Sequence, residues 1–245
     1  MSLTAGRLLR LGAVAGAAGG VVSAVTLAAL GEGAIGRAVR LEGPSGEPEM
    51  FSRGTQQLGG ALAVVIVGAV MGVVFALVYG YVRPRLRTPD DWRASYQLAA
   101  AAFVTVFVVP FLRYPPNPPA VGDPDTITRR TVLYLLAIAW SLVATWATAR
   151  AWRNLRDRPV ERQLAVLATA GLYVWLVGLG LLLLPPNSDA ITPSASLIWQ
   201  FRLATLAGSA ALWSVTGAAF GGLVARPLSA PFPVAADGLP VSVPS

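Results

Sequence analysis

Seven side chains with oxygen donors lie between or beside the apolar runs of this chain, and they are its best candidates for binding a divalent cation. Carboxylate and amide oxygens bind late first-row transition metals less tightly than imidazole or thiolate does. The chain has no His and no Cys, so a site built from these oxygens would be weak and reversible. The predicted metal ligands are Glu32, Glu42, Asn117, Asp123, Asp125, Asn187 and Asp189, with Glu47 and Glu49 in the same acidic first loop as Glu32 and Glu42.

The same side chains have an ordinary structural interpretation. Asp125 or Thr126 is a suitable helix N-cap, because a short oxygen-bearing side chain can accept from the free N–H groups of a first turn. Glu42 can pair with a nearby Arg at the surface, which contributes little stability. Metal binding and capping therefore remain two open interpretations of these residues.

The residue types needed for common catalytic sites are missing. All 19 basic residues are Arg, and there is no Lys, His or Cys. A phosphate-binding loop that ends in Gly-Lys-Ser/Thr is therefore impossible, as are a His-Glu-x-x-His zinc motif and a Cys-x-x-Cys motif; no Gly-x-Ser-x-Gly occurs either. We predict that the chain is not an enzyme and has no cofactor.

The apolar segments define the fold class. Hydrophobic residues make up 55% of the chain and charged residues only 13%, about half the usual share. A helix of about 20 apolar residues spans the hydrocarbon core of a bilayer. Six runs approach or exceed this length, and only the third, which is short, leaves five spans as an alternative. We predict an all-α polytopic membrane helix bundle with six transmembrane helices, at residues 8–30, 58–82, 96–112, 132–149, 164–184 and 203–224.

Two proline-rich polar segments interrupt these runs. The first hinge, residues 111–131, lies between the third and fourth runs, and the second hinge, residues 185–192, lies between the fifth and sixth. Proline cannot donate a backbone hydrogen bond, and unpaired backbone is not tolerated in lipid. Because the hinges are two crossings apart, both should face water on the same side of the membrane.

Arginine placement predicts the orientation. With the N-terminus inside, 12 of the 19 arginines fall on the inner side, as the positive-inside rule expects. Both termini should then be cytoplasmic, and the acidic residues named above should lie outside with both hinges. The net charge of +7 is explained by this membrane placement, so we predict a lipid bilayer and no nucleic acid as partner.

Glycines recur at four-residue spacing in three of the runs, and such small faces let helices approach closely in lipid. Packing within one bundle is the simpler interpretation, and a homo-oligomer or partner contact is the alternative. The glycines concerned are Gly12, Gly16, Gly20, Gly68, Gly72, Gly217 and Gly221. Residues 1–226 should form the transmembrane bundle, and the Pro-rich residues 227–245 a disordered cytoplasmic tail.

Three stretches resemble the CbtA family of predicted cobalt transporter subunits. They are LRYPPNPPAVGDPDTITRRTVLYLL at 112–136, LLPPN at 183–187 and LIWQFRLATLAGSAALWSVTGAAFGGL at 197–223. The resemblance covers roughly residues 8–224. It implies a multi-pass protein of the bacterial inner membrane, assigned to cobalt uptake, often beside a second small subunit with a His-rich tail.

The sequence therefore predicts two alternative functions. The first is the membrane subunit of a divalent-cation uptake system, in which cobalt is a transported substrate that enters a neutral path between helices. Neutral hydroxyls in the spans, such as Thr105, Ser141, Thr145 and Thr169, are available to line such a path. The second is a non-transporting scaffold or accessory subunit of another membrane complex, because no midplane charge or energy source is visible in the sequence.

Overall fold

The structure is a computed structural model that describes residues 4–42, 51–86, 88–119, 121–187, 189 and 193–225. Its regular structure within these ranges is helical. The α-helices are α1 (Ala5–Glu42), α2 (Arg53–Val82), α3 (Asp91–Ala102), α4 (Val109–Arg113), α5 (Ile127–Arg156), α6 (Arg162–Leu183) and α7 (Ala195–Ala225). A π-helical segment, Phe103–Val108, joins α3 to α4, and short 3-10 turns occupy Arg83–Arg85 and Pro124–Thr126.

Six of the helical stretches are long and apolar enough to cross a membrane, which confirms the predicted all-α, six-span fold. The third stretch is longer than its apolar run, because α3, the π-helical segment and α4 form one continuous helix over Asp91–Arg113. Six spans, rather than five, are therefore present. The predicted cytoplasmic position of the termini remains a prediction, so the two ends of the bundle are named here by their residues. The hinge end carries both hinges, and the arginine end carries Arg7, Arg83 and Arg156.

The spans divide into a four-helix core and a hairpin. Helix α1 packs along both α2 and α7, and α7 packs also against α3. Their shared core contains Phe75, Tyr79, Trp213 and Phe220, with Phe75 and Phe220 in edge-to-face contact at 5.3 Å between ring centroids. Helices α5 and α6 pack on each other and contact the rest through the third span.

The recurring glycines form close contacts inside this bundle. A Cβ on Gly16 would overlap the carbonyl oxygen of Gly68, and a Cβ on Gly72 would overlap that of Gly12. On the other side of the core, a Cβ on Gly217 would lie 2.5 Å from the Cβ of Ala99 in α3. The interpretation of these glycines as packing surfaces within one bundle is therefore confirmed.

Pro110 explains the irregular middle of the third span. Proline has no N–H, and its ring clashes with the carbonyl four residues earlier. The helix widens just before it, so that the Val109 N–H donates to the carbonyl of Val104, five residues back. Within this segment the Thr105 hydroxyl lies 2.9 Å from that of Thr145, which joins the third span to α5.

The first loop begins later than expected. The predicted first apolar run ends at Leu30, and Glu32 was assigned to the acidic first loop, but α1 continues to Glu42 and is roughly 57 Å long at 1.5 Å per residue. The extension is stabilised because Ala34 and Ala38 are buried, with Ala38 packed against Val121 and Leu197. Glu32 is consequently a helix residue. The predicted disordered tail, 227–245, lies outside the described residues.

Candidate functional site

The two hinges contact each other directly at one end of the bundle. The Tyr114 hydroxyl donates to the Pro185 carbonyl at 2.6 Å, and Arg113 donates to the Leu184 carbonyl. The prediction that both hinges lie on the same side is confirmed. Because these bonds use the backbone carbonyls of Pro185 and of Leu184, the residue just before it, they fix the start of the second hinge without neutralising the Arg113 charge.

The end of the first hinge is shaped to position α5. Asp123 caps the 3-10 turn, since its Oδ1 accepts from the Asp125 N–H at 2.9 Å. The residue before it, Gly122, has φ +107°, and a Cβ there would lie 2.6 Å from Nη1 of Arg130. Only glycine fits this backbone and this approach without strain. Asp123 therefore caps the 3-10 turn, while Thr126, one of the two predicted caps, occupies the N-cap position of α5 without a side-chain bond to its first turn.

The side chain of Asp189, in the second hinge, is buried, and one of its carboxylate oxygens has two partners. Its side chain is 3% exposed, and its Oδ2 lies 3.2 Å from Nε of Arg130. The Thr126 hydroxyl lies 2.8 Å from the same oxygen, and the Asp189 N–H donates to Oδ1 of Asn187 at 3.3 Å. A carboxylate buried in this way is stable only because a cation and hydrogen-bond donors surround it.

Arg202 binds the first hinge from α7. Its Nη2 donates to Oδ1 of Asn117 at 3.0 Å, and its Nε donates to the Pro116 carbonyl at 3.3 Å. The guanidinium also lies 5.9 Å from the ring centroid of Trp199, one turn earlier on α7. Both hydrogen-bond acceptors are neutral, so the Arg202 charge has no counter-charge among these contacts.

These side chains surround a cavity of about 520 Å³ at the hinge end. Its volume falls within the usual range for small-molecule sites, roughly 300–1,000 Å³. The charged side chains in its lining are Arg113, Arg130, Arg202 and Asp189. Three guanidiniums against one carboxylate make the lining cationic, with a formal balance of +2.

The structure brings together only some of the predicted metal ligands. Asn117, Asn187 and Asp189 line the hinge-end cavity, while Asp123 and Asp125 are exposed on the hinge beside it. Glu32 lies on α1, where its Oε1 accepts from Arg53 at 2.7 Å and from Gln57 at 2.8 Å. The side chain of Glu42 lies outside the described residues, as do Glu47 and Glu49. Within the described ranges, no three His, Cys, Asp or Glu side chains come close enough to hold a metal ion.

Sequence reasoning missed the three arginines of this cavity. It counted Arg113, Arg130 and Arg202 only as charges that determine orientation. A signal was present, because Arg113 and Arg130 lie inside the first hinge and Arg202 lies within ten residues of the end of the second. Their convergence depends on how α4, α5 and α7 pack, which spacing along the chain does not give.

A second cavity, of about 410 Å³ and largely open to the surface, lies between α5 and α6 at the arginine end. It is lined by the hydroxyls of Thr145, Thr148, Thr169 and Tyr173, among other side chains. Thr148 Oγ1 and Tyr173 OH are buried there, without a hydrogen-bond partner in the described part of the chain. Thr145 and Thr169 had been predicted as path-lining residues; Thr148 and Tyr173 had not.

One face of α5 connects the two cavities. Arg130 and Tyr134 line the first cavity, and Thr145 and Thr148 line the second. Ser141 lies between them on the same face, because residues three or four apart share a helix face. Its side chain is 0% exposed, and within the described ranges its hydroxyl has no partner. Ser141 is therefore a buried neutral polar group between the residues that line the two cavities.

A helical bundle with six spans is a multi-pass membrane protein. Residues 5–225 match the CbtA family, which is described as a probable cobalt transporter subunit. The chain belongs to the CbtA family, which confirms the resemblance found in the sequence. No curated protein and no solved structure matches the chain.

Proposed function

We propose that this chain is the membrane subunit of a cobalt uptake system in a bacterial inner membrane. The observation that carries the proposal is the family match over residues 5–225, which includes all six spans. The family description calls its members subunits, and a second small membrane subunit is the proposed partner. The arginine end is proposed to be cytoplasmic, following the positive-inside rule.

The hinge-end cavity is the proposed outer opening. Oxygen donors from Asn117, Asn187 and Asp189 reach it, with Asp123 and Asp125 on the exposed hinge beside it as a weak first contact. Arg130 forms an ion pair with Asp189. A cation must therefore displace the Arg130 guanidinium before the Asp189 carboxylate can bind the cation. Oxygen ligands hold cobalt weakly, which allows the ion to leave again.

The proposed path follows the face of α5 from Tyr134 through Ser141 to Thr148. Hydroxyl oxygens along this path can replace some of the water molecules that hydrate an ion, whereas a path lined by apolar side chains alone could not. Ser141 is fully buried, so transport along this path requires a rearrangement. The π-helical segment Phe103–Val108 packs against α5 there, and such segments are frequent at functional sites.

Uptake of radiolabelled cobalt into vesicles that contain the purified chain tests this proposal. We expect uptake above that of empty vesicles, and a several-fold decrease for Asp189→Asn, which removes the one carboxylate among the described residues of the cavity lining. Asp157→Asn is the matched control, since Asp157 is exposed at the arginine end. Uptake equal to that of empty vesicles would contradict autonomous transport.

A second candidate function is an accessory subunit that stabilises another membrane complex without conducting the ion. Two observations favour it: the cationic lining of the hinge-end cavity, and the lack of a three-ligand metal cluster in the described ranges. Purification in mild detergent separates the two functions. A stoichiometric partner, together with no cobalt uptake by the isolated chain, would favour the accessory role.

A further inference from the structure

We propose that the hinge-end cavity is a binding site for a phosphate group. The inference concerns the same cavity as the proposed outer opening, but it does not rest on cobalt transport. Its starting point is the charge of the lining, in which the described residues include Arg113, Arg130 and Arg202 but one carboxylate. That carboxylate, Asp189, is already paired with Arg130 and almost fully buried, so it offers little to a cation.

The three guanidiniums are held in place largely by neutral acceptors. Arg113 donates to the backbone carbonyl of Leu184 at the end of α6, and Arg202 donates to Pro116 and Asn117. Arg130 uses its Nη2 on the Asp123 carbonyl, at 3.1 Å. Such contacts orient an arginine while leaving its charge in place. Each guanidinium has five N–H donors, more than these bonds use.

Further donors are available beside the arginines. Nε of Arg113 is buried and has no acceptor in the described ranges. Asn117 and Asn187 use their Oδ1 atoms as acceptors, which leaves both amide NH₂ groups to donate. The balance of +2 is that of the described lining residues. The hinge residues that the structure does not describe are uncharged in the sequence; they are Ala120, Ser188, Ala190, Ile191 and Thr192.

Phosphate is the ligand chemistry that suits this set of donors. Planar guanidiniums bind phosphate oxygens through paired N–H groups, and three of them can share one doubly charged group. A cavity of about 520 Å³ has room for a phosphate and for part of the molecule that carries it. The phosphate would also supply the negative charge that the lining lacks.

The apolar wall of the cavity indicates how the rest of such a ligand can be accommodated. Ile127 and Leu135 line it and are 56% and 58% exposed; Ile127 lies at the hinge end of α5, and Leu135 lies within its apolar run. They are eight residues apart, so the cavity follows α5 for roughly 12 Å from the hinge into the span. This opening fits a phospholipid headgroup whose acyl chains remain outside. The opening towards the hinges fits free phosphate equally well.

Thermal unfolding of the purified full-length chain in neutral detergent tests the site without cobalt. The added probes are inorganic phosphate, short-chain phosphatidylglycerol and short-chain phosphatidylcholine, each titrated at constant ionic strength against a chloride control. We expect phosphate or phosphatidylglycerol to raise the apparent Tm in a saturable way. Arg113→Gln and Arg202→Gln should each weaken the apparent affinity about tenfold or more, because a hydrogen bond to a charged group is lost.

Arg129→Gln is the matched control, because Arg129 is an exposed neighbour on the same turn of α5 that does not line the cavity. Stabilisation by inorganic phosphate identifies a free oxyanion as the ligand, and stabilisation by phosphatidylglycerol alone identifies a lipid headgroup. No stabilisation by either probe, or an equal loss in the Arg129→Gln variant, overturns the proposal. If the cavity variants do not fold, native mass spectrometry of the unaltered chain decides, and failure to retain any phosphate-bearing adduct overturns it.

Discussion

Nε of Arg130 lies 3.2 Å from Oδ2 of Asp189, and this ion pair joins the first turn of α5 to the second hinge. Removing either charge alone leaves the other in a largely buried site. We therefore expect Asp189→Asn and Arg130→Gln each to lower stability by about 2 kcal/mol, and the double variant to lose less than the sum. Apparent Tm values of the three variants measure the coupling. Strictly additive losses would show that the pair contributes nothing.

Gly180 on α6 faces the indole of Trp140 on α5. A Cβ at Gly180 would overlap Nε1 of Trp140, which donates to the Leu176 carbonyl at 2.8 Å. Gly180→Ala should destabilise the α5–α6 hairpin by about 2 kcal/mol through overpacking. Gly178→Ala, two residues earlier on the same helix, has nothing within 4 Å of its added methyl and should be neutral or slightly stabilising. Equal Tm values for the two variants would contradict the packing of this hairpin.

The contact between α1 and α2 should tolerate no added methyl group. Gly16→Ala forces a Cβ into the carbonyl of Gly68, where backbone cannot move aside cheaply. We expect a loss of about 3 kcal/mol and an increased tendency to aggregate on extraction. Gly59→Ala, in open space on α2, serves as the control. A Gly16→Ala variant as stable as that control would mean that these helices do not approach so closely.

The hydroxyl pair Thr105 and Thr145 should matter for more than stability. Thr145→Val keeps the shape but leaves Thr105 without its partner, at a cost of about 1 kcal/mol. If the path runs along α5, the same change should reduce cobalt uptake several-fold. Thr145→Ser, which keeps the hydroxyl, should have nearly the stability and the cobalt uptake of the unaltered chain. Unchanged uptake in Thr145→Val would exclude this hydroxyl from the path.

The absence of cysteine makes the orientation directly measurable. Asp125→Cys places a single thiol on the exposed part of the first hinge, and Arg158→Cys places one at the arginine end. A membrane-impermeant maleimide added to intact cells should label Asp125→Cys alone. Labelling of Arg158→Cys instead would reverse the orientation, and the hinge-end cavity would then face the cytoplasm.

Sequence reasoning predicted the features that depend on local composition. Apolar runs gave the six spans, the prolines gave both hinges, and the glycine spacing gave close-packed faces. It missed the extension of α1, because the burial of Ala34 and Ala38 depends on α7 and the first hinge. The candidate site was only half predictable for the same reason. Asn117, Asn187 and Asp189 were named, but the surrounding arginines are brought in by tertiary packing.

The widened turns of the third span affect everything that follows them. One residue added to a helix rotates all later side chains by on the order of 100° about its axis, since a turn contains 3.6 residues. Before Phe103 this span packs on α7, whereas after Val108 it packs on α5 and α6. This rotation thus lets one helix pack on α7 with its first part and on α5 and α6 with its last part. It also means that deleting a single residue there would turn Arg113 away from the second hinge.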